Sequence, residues 1–488
     1  MLSLLVFLPL AGTALVAVLP RRWEGRARWI ALGASLGCLG IALALFAAYD
    51  RGGPQFQFVD RHVWLSSDVA PFSVQYALGV DGLSLPLLVL TAFLTVVAVL
   101  ISWEIGPRPK EYFAWLLVLE SSLLGVFSSL DLVLFFLFFE LELLPMYFLI
   151  SIWGTGRRIY SAWKYVFFTF FGSAFMLVGI LALGLEAGTF DIRALQEMGP
   201  IRQAVLPAPA IFAFLIIGFG IKLPVVPLHT WLPDAHTDAP TAVSVMLAGV
   251  LLKMGGYGIL RLCISLLPEV ARDASLWLGA FAGATILYGA LATLMQRDLK
   301  RLIAYSSVSH MGYVLLGASA LGTVGLVGAS MQMFTHGLIT GLLFVMVGLV
   351  YERTHTRDIG ELGGLAARLP YLTVVMVFAG LASLGLPSLA GFVSEATVFL
   401  GTFPRHQALA VMGVLGVLLA AAYILWMVQR VFWGEAAPRW QSLQEKVAWW
   451  ERVPTLALMT VILLVGVYPS PLMDLFEGGI IPIVERLT

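Results

Sequence analysis

Cysteine and charge are what this sequence has least of. Only Cys38 and Cys263 are present, with no Cys-x-x-Cys spacing, which leaves no basis for a thiolate-held iron–sulfur cluster or a disulfide framework. Charged residues make up 12% of the 488 and cancel to zero, which argues against nucleic acid as a partner. A dinucleotide fingerprint is missing too: GTGRRI at 154–159 lacks the third glycine and follows no soluble strand. No basic residue precedes the first apolar run, MLSLLVFLPLAGTALVAVLP, and Arg21 and Arg22 follow it. That stretch reads as a first membrane span retained in the mature chain, not as a cleaved signal. What is abundant is apolar sequence. Hydrophobic residues are 60% of the chain and the mean hydropathy is +0.92, the composition of a polytopic membrane protein.

Apolar stretches of about 20 residues predict spans near 1–20, 29–48, 83–102, 113–130, 132–152, 165–186, 207–230, 241–260, 276–295, 302–320, 323–350, 371–402, 407–429 and 453–470. The expected fold is all-α and integral to the membrane, with fourteen transmembrane helices. Loops on one side collect most of the basic residues: Arg21, Arg22, Arg26 and Arg28; Arg108 and Lys110; Arg157, Arg158 and Lys164; Arg297, Lys300 and Arg301; Arg353, Arg357 and Arg368; Arg430, Arg439, Lys446 and Arg452. The other side holds fewer, at Arg51, Arg61, Arg193, Arg202, Arg261, Arg272, Arg405 and Arg486. The positive-inside bias puts the first side in the cytoplasm and both termini outside. Lys222 and Lys253 alone are stranded within spans.

The same count leaves Glu120, Glu140, Glu142 and Glu395 inside spans, joined by His229, His310 and His336. A charge at mid-bilayer costs about 3 kcal/mol on insertion scales, so such residues face a protein interior or a hydrated cavity and mark an ion or proton path. Lys222 could instead snorkel from a helix end, but prolines interrupt the way. An apolar site disfavours a charged lysine and a nearby carboxylate favours it, so a lysine with a modulated partner can load and unload a proton. Glu140 and Glu142, in FFLFFELELLP, are about 200° apart around a helix, so one cavity receives only one of them directly. Gln332, His336 and Thr340 form one stripe, while Tyr305, Ser306, Ser309 and His310 open a hydroxyl-rich helix. Such stripes hold water chains or make plain interhelical hydrogen bonds.

Prolines break two of these helices. Pro224 and Pro227 follow Lys222, and Pro387 in GLPSLAG precedes Glu395. Breaks at corresponding places in two halves suggest inverted repeats with an ion site near the midplane. The expected division is 1–110 for helices 1–3, 111–262 and 275–432 for two inverted five-helix repeats, and 433–488 for an amphipathic linker, helix 14 and the tail.

GIKLPVVPLHTWLPDAHTDAPTAVSVMLAGVLLKMGGYGILR (220–261) and RDLKRLIAYSSVSHMGYV (297–314) resemble the antiporter-like membrane chains of respiratory complex I, the proton-translocating NADH:quinone oxidoreductase. FFELELLPMYFLISIWG (138–154), YERTHTRDI (351–359) and the glutamate of GFVSE (391–395) resemble the M type of that group. The L and N types usually place lysine at the last position. The resemblance covers roughly residues 80–432. It implies that Glu140, five residues before Pro145, modulates Lys222 on a broken seventh helix. Lys253 would link two half-channels, and Glu395 would release the proton from a broken twelfth helix. His310 and His336 would belong to the connecting polar axis, and the role of Glu142 stays open. The resemblance also implies no cofactor in this chain. NADH, FMN, iron–sulfur clusters and quinone would sit in partner subunits, reached through sister antiporter-like chains and a peripheral redox arm in a bacterial cytoplasmic membrane. The same fold resembles subunits of multisubunit sodium/proton antiporters and membrane-bound hydrogenases, the alternative reading.

Overall fold

The computed structural model describes residues 1–66, 73–198, 206–436 and 438–487; Arg202 lies outside them. The chain is a multi-pass membrane protein built almost entirely of helices. The first two are α1 (Leu2–Val18) and α2 (Ala27–Ala48). An antiparallel hairpin of β1 (Gln57–Ser66) and β2 (Ser73–Val80) follows, in a stretch with no expected element. Then come α3 (Ser84–Ile101), α4 (Pro109–Ser128), α5 (Leu132–Leu141), α6 (Leu143–Trp153), α7 (Arg158–Ala187), α8 (Ile192–Glu197), α9 (Ala208–Lys222), α10 (Trp231–Asp238), α11 (Thr241–Met246) and α12 (Leu252–Gly258). The second half holds α13 (Pro268–Leu294), α14 (Leu299–Ser319), α15 (Thr323–Thr354), α16 (Pro370–Ser383), α17 (Ala390–Thr402), α18 (Gln407–Phe432), α19 (Trp449–Val467) and α20 (Ser470–Glu485).

Among the described residues ten helical stretches are long and apolar enough to cross a membrane, and α1, α9 and α16 are shorter apolar helices. Three of the ten are composite: a 3₁₀ segment, Arg21–Arg26, runs into α2 to make Arg21–Ala48. α5 and α6 run on from one another as Leu132–Trp153, jointed at Glu142, and α11 and α12 are linked by π-helical turns into Thr241–Ile264. The expected spans 207–230 and 371–402 are each split, after Lys222 and after Ser383, where the prolines stop the helix. α15 and the Thr241–Ile264 helix are enclosed on all sides, so they form the core, and the polar groups they carry are buried with them.

Two matching staples close the loops. Asp131 caps α5 by accepting from Val133 N and Leu134 N, and its neighbours pair with TFDIRAL (189–195) through Leu132 N→Phe190 O (2.9 Å) and Ile192 N→Leu130 O (2.8 Å). Asp298 caps α14 through Lys300 N and Arg301 N, and pairs with TRDIGEL (356–362) through Leu299 N→Arg357 O (2.9 Å) and Ile359 N→Arg297 O (2.8 Å). The hairpin is fastened beside the first staple, where Gln75 N donates to Asp131 Oδ2 (3.0 Å) and Leu130 N to Ala77 O (2.9 Å).

α20, where only a tail was expected, is amphipathic. Leu472, Leu475, Phe476, Gly479, Ile480 and Ile483 recur at helical spacing and are buried. Its backbone lies so close to Gly82 that a Cβ there would stand 2.0 Å from Leu475 O. Arg51 pairs with Asp474 (3.1 Å) and Arg486 Nε donates to Ser265 O (2.9 Å), which ties α20 to the hairpin face.

Candidate functional site

Lys222 is the last residue of α9, with its side chain 1% exposed. It forms an ion pair with Glu142, whose side chain is fully buried. Tyr165 of α7 joins both, donating to Glu142 Oε2 (2.5 Å) and accepting from Lys222 Nζ (3.0 Å). The rings of Phe139 and Tyr165 stand 5.4 and 5.1 Å from the ammonium. Trp231 holds the broken backbone by donating Nε1–H to Ile221 O (2.9 Å). The resemblance gave Glu140 the role of partner to Lys222; the structure gives the ion pair to Glu142. Glu142 is the joint between α5 and α6 and points into the bundle, whereas Glu140, about 200° away on the helix, is only half-buried as a residue and has a buried carboxylate oxygen without a hydrogen-bond partner.

The second half of the site starts at Lys253, fully buried between the two π-helical segments Leu247–Leu251 and Ile259–Ile264. A π turn is wider than an α turn and frees carbonyls from the i−4 ladder. Lys253 Nζ donates to one of these, Ala248 O, and lies 2.8 Å from His336 Nδ1 on α15. The His336 and His310 rings are 5.8 Å apart, and His310 Nδ1 is 3.2 Å from Glu395 Oε1. His310 Nε2 faces Ser383 Oγ and Tyr423 OH, both at 3.3 Å. Gln332 accepts from Ser394 Oγ (2.5 Å), itself 2.8 Å from Thr335 Oγ1. These groups surround a cavity of about 10 Å³, lined by His310, Gln332, His336, Ser383 and Glu395, the size of a single water. Gly385, with φ +77°, leaves room for Glu395, because a Cβ would lie 2.7 Å from Oε2. Thus α12, α14, α15 and α17 bring Lys253, His310, His336 and Glu395 into one polar column.

Two expected members stand apart from that column. Glu120 is buried on α4 beside Cys38 of α2, and His229 lies against Tyr288 (4.9 Å) and Tyr305 (6.4 Å) at the first helix break. Three buried groups escaped the sequence reading. His236 on α10 stacks on Phe344 (4.5 Å between rings). Asp81 forms a buried ion pair with Arg261, and Arg261 was expected in an outer loop. Its helix continues instead to Ile264, and the counter-charge comes from far away in sequence, beneath the hairpin. Lys300, also expected in a loop, is buried at the wall of a cavity of about 910 Å³ and donates to Ala239 O. Glu352, Arg353, Arg357 and Glu451 line the same cavity.

Residues 129–420 match the family described as NADH:quinone oxidoreductase/Mrp antiporter, TM. NADH-quinone oxidoreductase subunit M of Rhodobacter capsulatus is 41% identical over 501 residues, covering 100% of this chain and 96% of its own length. NAD(P)H-quinone oxidoreductase chain 4 2 of Thermosynechococcus vestitus is 40% identical over 478 residues, covering 96% and 89%. Among solved structures, a chain of respiratory complex I from Thermus thermophilus with bound NADH matches with a TM-score of 0.88 at 30% identity over 100% of both chains. A chain of the Mrp complex from Dietzia sp. DQ12-45-1b has the same fold, with a TM-score of 0.87 at 22% identity over 100% and 99%. The chain belongs to the NADH:quinone oxidoreductase/Mrp antiporter family of membrane subunits.

Proposed function

We propose that this chain is a proton-translocating, M-type membrane-arm subunit of an NADH:quinone oxidoreductase in a bacterial cytoplasmic membrane. Protons move through Lys222 and Glu142, then Lys253, His336, His310 and Glu395. The observation that carries this is the column of buried groups from Lys253 through His336 and His310 to Glu395, spaced for hydrogen bonds or one intervening water in a chain otherwise apolar, with the buried Lys222–Glu142–Tyr165 cluster as a second site. Pro224, Pro227 and Pro387 end the helices where the lysine and the glutamate need non-helical backbone around them. The chain holds no redox centre of its own; NADH, FMN, iron–sulfur clusters and quinone are handled by partner subunits. Redox energy therefore arrives by conformational or electrostatic coupling through sister membrane chains.

Fourteen crossings follow if α1, α14 and the two broken pairs α9/α10 and α16/α17 are added to the ten long spans. Residues 111–262 and 275–432 are then inverted repeats. Supporting this, the two staples have the same hydrogen bonds and lie the same distance apart along the chain, one at the start of an outward-to-inward helix and one at the start of its inward-to-outward counterpart. Both termini then lie on the periplasmic side.

The test is NADH-driven proton uptake in inverted membrane vesicles carrying Lys222→Ala, with NADH oxidation by an artificial acceptor confirming assembly. Lost uptake with the acceptor rate retained supports a working proton site. Unchanged uptake per electron refutes it, and sodium-dependent pH changes without NADH oxidation would point to the antiporter alternative.

A further inference from the structure

α13 and α18 pack against one another, and their C-terminal ends meet at a cavity of about 370 Å³. Arg297 lies just past the end of α13 and Arg430 in the last turn of α18; Trp426, Asp358, Ile359 and Gly360 complete the lining. The second staple fixes one wall, where Ile359 N donates to Arg297 O (2.8 Å) and Gly360 N to Asp358 Oδ1 (2.8 Å). Arg301, Arg353, Arg357 and Arg439, on the same side of the chain, are paired with carboxylates. Arg297 and Arg430 are not: neither guanidinium has an ion-pair or hydrogen-bond partner among the described residues, and Arg430 lies over the Trp426 indole, 4.5 Å from its centre. A helix C-terminus favours a cation, which accounts for one arginine on each helix but not for a cavity with excess positive charge between them.

Exposed apolar side chains lead up to this cavity along both helices. On α13 they are Tyr288, Leu291 and Met295, and on α18 Leu418 and Leu425, the most open being Met295 at 81% and Leu418 at 63%. Their helical spacing puts each set on one face. The surface therefore has a charged end and an apolar length, as a lipid does. Guanidinium forks match phosphate oxygens, and an indole at the end of a span sits at headgroup level. We propose that the cavity binds the phosphate of an anionic phospholipid whose acyl chains lie along α13 and α18. The lipid phosphate joins three segments distant in sequence, the ends of the two helices and the 356–362 loop, and so braces the half of the chain that carries His310 and Glu395. Which leaflet supplies the lipid rests on the orientation proposed above, which makes it the cytoplasmic one; the binding itself does not.

The experiment places the intact complex in phosphatidylcholine vesicles that contain a trace of phosphatidylglycerol or of phosphatidylcholine carrying a photoreactive diazirine in one acyl chain. After illumination, labelled peptides are identified by mass spectrometry. Two arginines at the membrane surface favour an anionic over a zwitterionic lipid by roughly 30-fold, so the phosphatidylglycerol probe is expected to label 288–295 and 418–425 in about that excess. The double variant Arg297→Gln, Arg430→Gln should bring the ratio close to one. Both arginines are exposed, so the substitutions leave the packing undisturbed, and NADH oxidation by an artificial acceptor confirms assembly. Equal labelling by the two probes in the wild type, or a ratio unchanged in the double variant, overturns the proposal. Loss of the phosphatidylglycerol label on adding inorganic phosphate assigns the cavity to a free anion, and absence of label from both probes shows the face covered by protein; either result overturns it as well. Labelling is read without turnover, so its outcome and that of the proton-uptake test are independent.

Discussion

Glu142→Gln separates the two acids most sharply. The substitution keeps the side-chain volume and removes only the charge opposite Lys222. Stripping one partner from a buried ion pair costs about 3–5 kcal/mol, because the remaining ion is left uncompensated. Tyr165 OH stays at 3.0 Å from Nζ, and the Phe139 and Tyr165 rings still face the ammonium, which together recover roughly 1–2 kcal/mol. About 2–3 kcal/mol remains, so any step that needs a charged Lys222 slows by about 30- to 150-fold. The assay is proton uptake per NADH oxidised in inverted vesicles, normalised to the artificial-acceptor rate so that only assembled complex is counted. Glu142→Gln is expected to lose nearly all uptake. Glu140→Gln, in the fraction that stays assembled, is expected to keep most of it. The reverse result, uptake retained in the Glu142→Gln variant and lost in the Glu140→Gln variant, refutes the pairing derived from the geometry and returns the role to Glu140.

Asp81→Asn leaves Arg261 buried without its counter-ion and is expected to destabilise the assembled chain by about 3–5 kcal/mol, read as thermal loss of the complex on native gels; Asp81→Leu with Arg261→Met should regain much of it, and equal damage in the double variant would contradict the ion-pair account. Gly385→Ala forces a left-handed backbone at a cost of about 1–2 kcal/mol and drives a methyl group into Glu395, so uptake should fall while NADH oxidation by the acceptor holds; normal uptake would show that the Glu395 position is not critical. Gly82→Val should unseat α20, costing about 1–3 kcal/mol and exposing the 468–488 segment to protease at the hairpin face; an unchanged digestion pattern would count against that packing. Cysteines at Gly25 and Arg439 should label from the cytoplasm and one at Gly52 from the periplasm, with native Cys38 and Cys263 silent because they are buried; labelling of any of the three from the opposite side overturns the orientation.

Periodicity and hydropathy made most of the helices legible, because a bilayer forces about 20 apolar residues into each crossing. Prolines marked both breaks, since the lost amide donor is visible in the letters. Lys222, Lys253 and Glu395 stood out because a charge in an apolar run has few innocent explanations. The pairing was not legible. Helical spacing says that Glu140 and Glu142 diverge, but the face that meets α9 depends on how α5 and α6 meet at residue 142, which is a tertiary fact. Arg261 and Lys300 were misplaced for a related reason: counting spans in blocks of 20 ends a helix by length, whereas Arg261 continues inward because Asp81 receives it. His236 was passed over because the prolines around it read as loop, although eight residues there make a helix buried against Phe344. The hairpin and α20 lie in short, mixed stretches where neither periodicity has room to declare itself.

The wide turns on either side of Lys253 bear on speed as well as on placement. A full counter-charge would make that ammonium a deep well from which a proton departs slowly. A peptide dipole from Ala248 and an imidazole from His336 hold it more shallowly. Each added kilocalorie of trapping would slow departure roughly fivefold. By loosening two turns of backbone, the fold places a lysine in the dry centre of the chain with a carbonyl and an imidazole in place of a counter-ion, an arrangement that suits the relay role proposed for it.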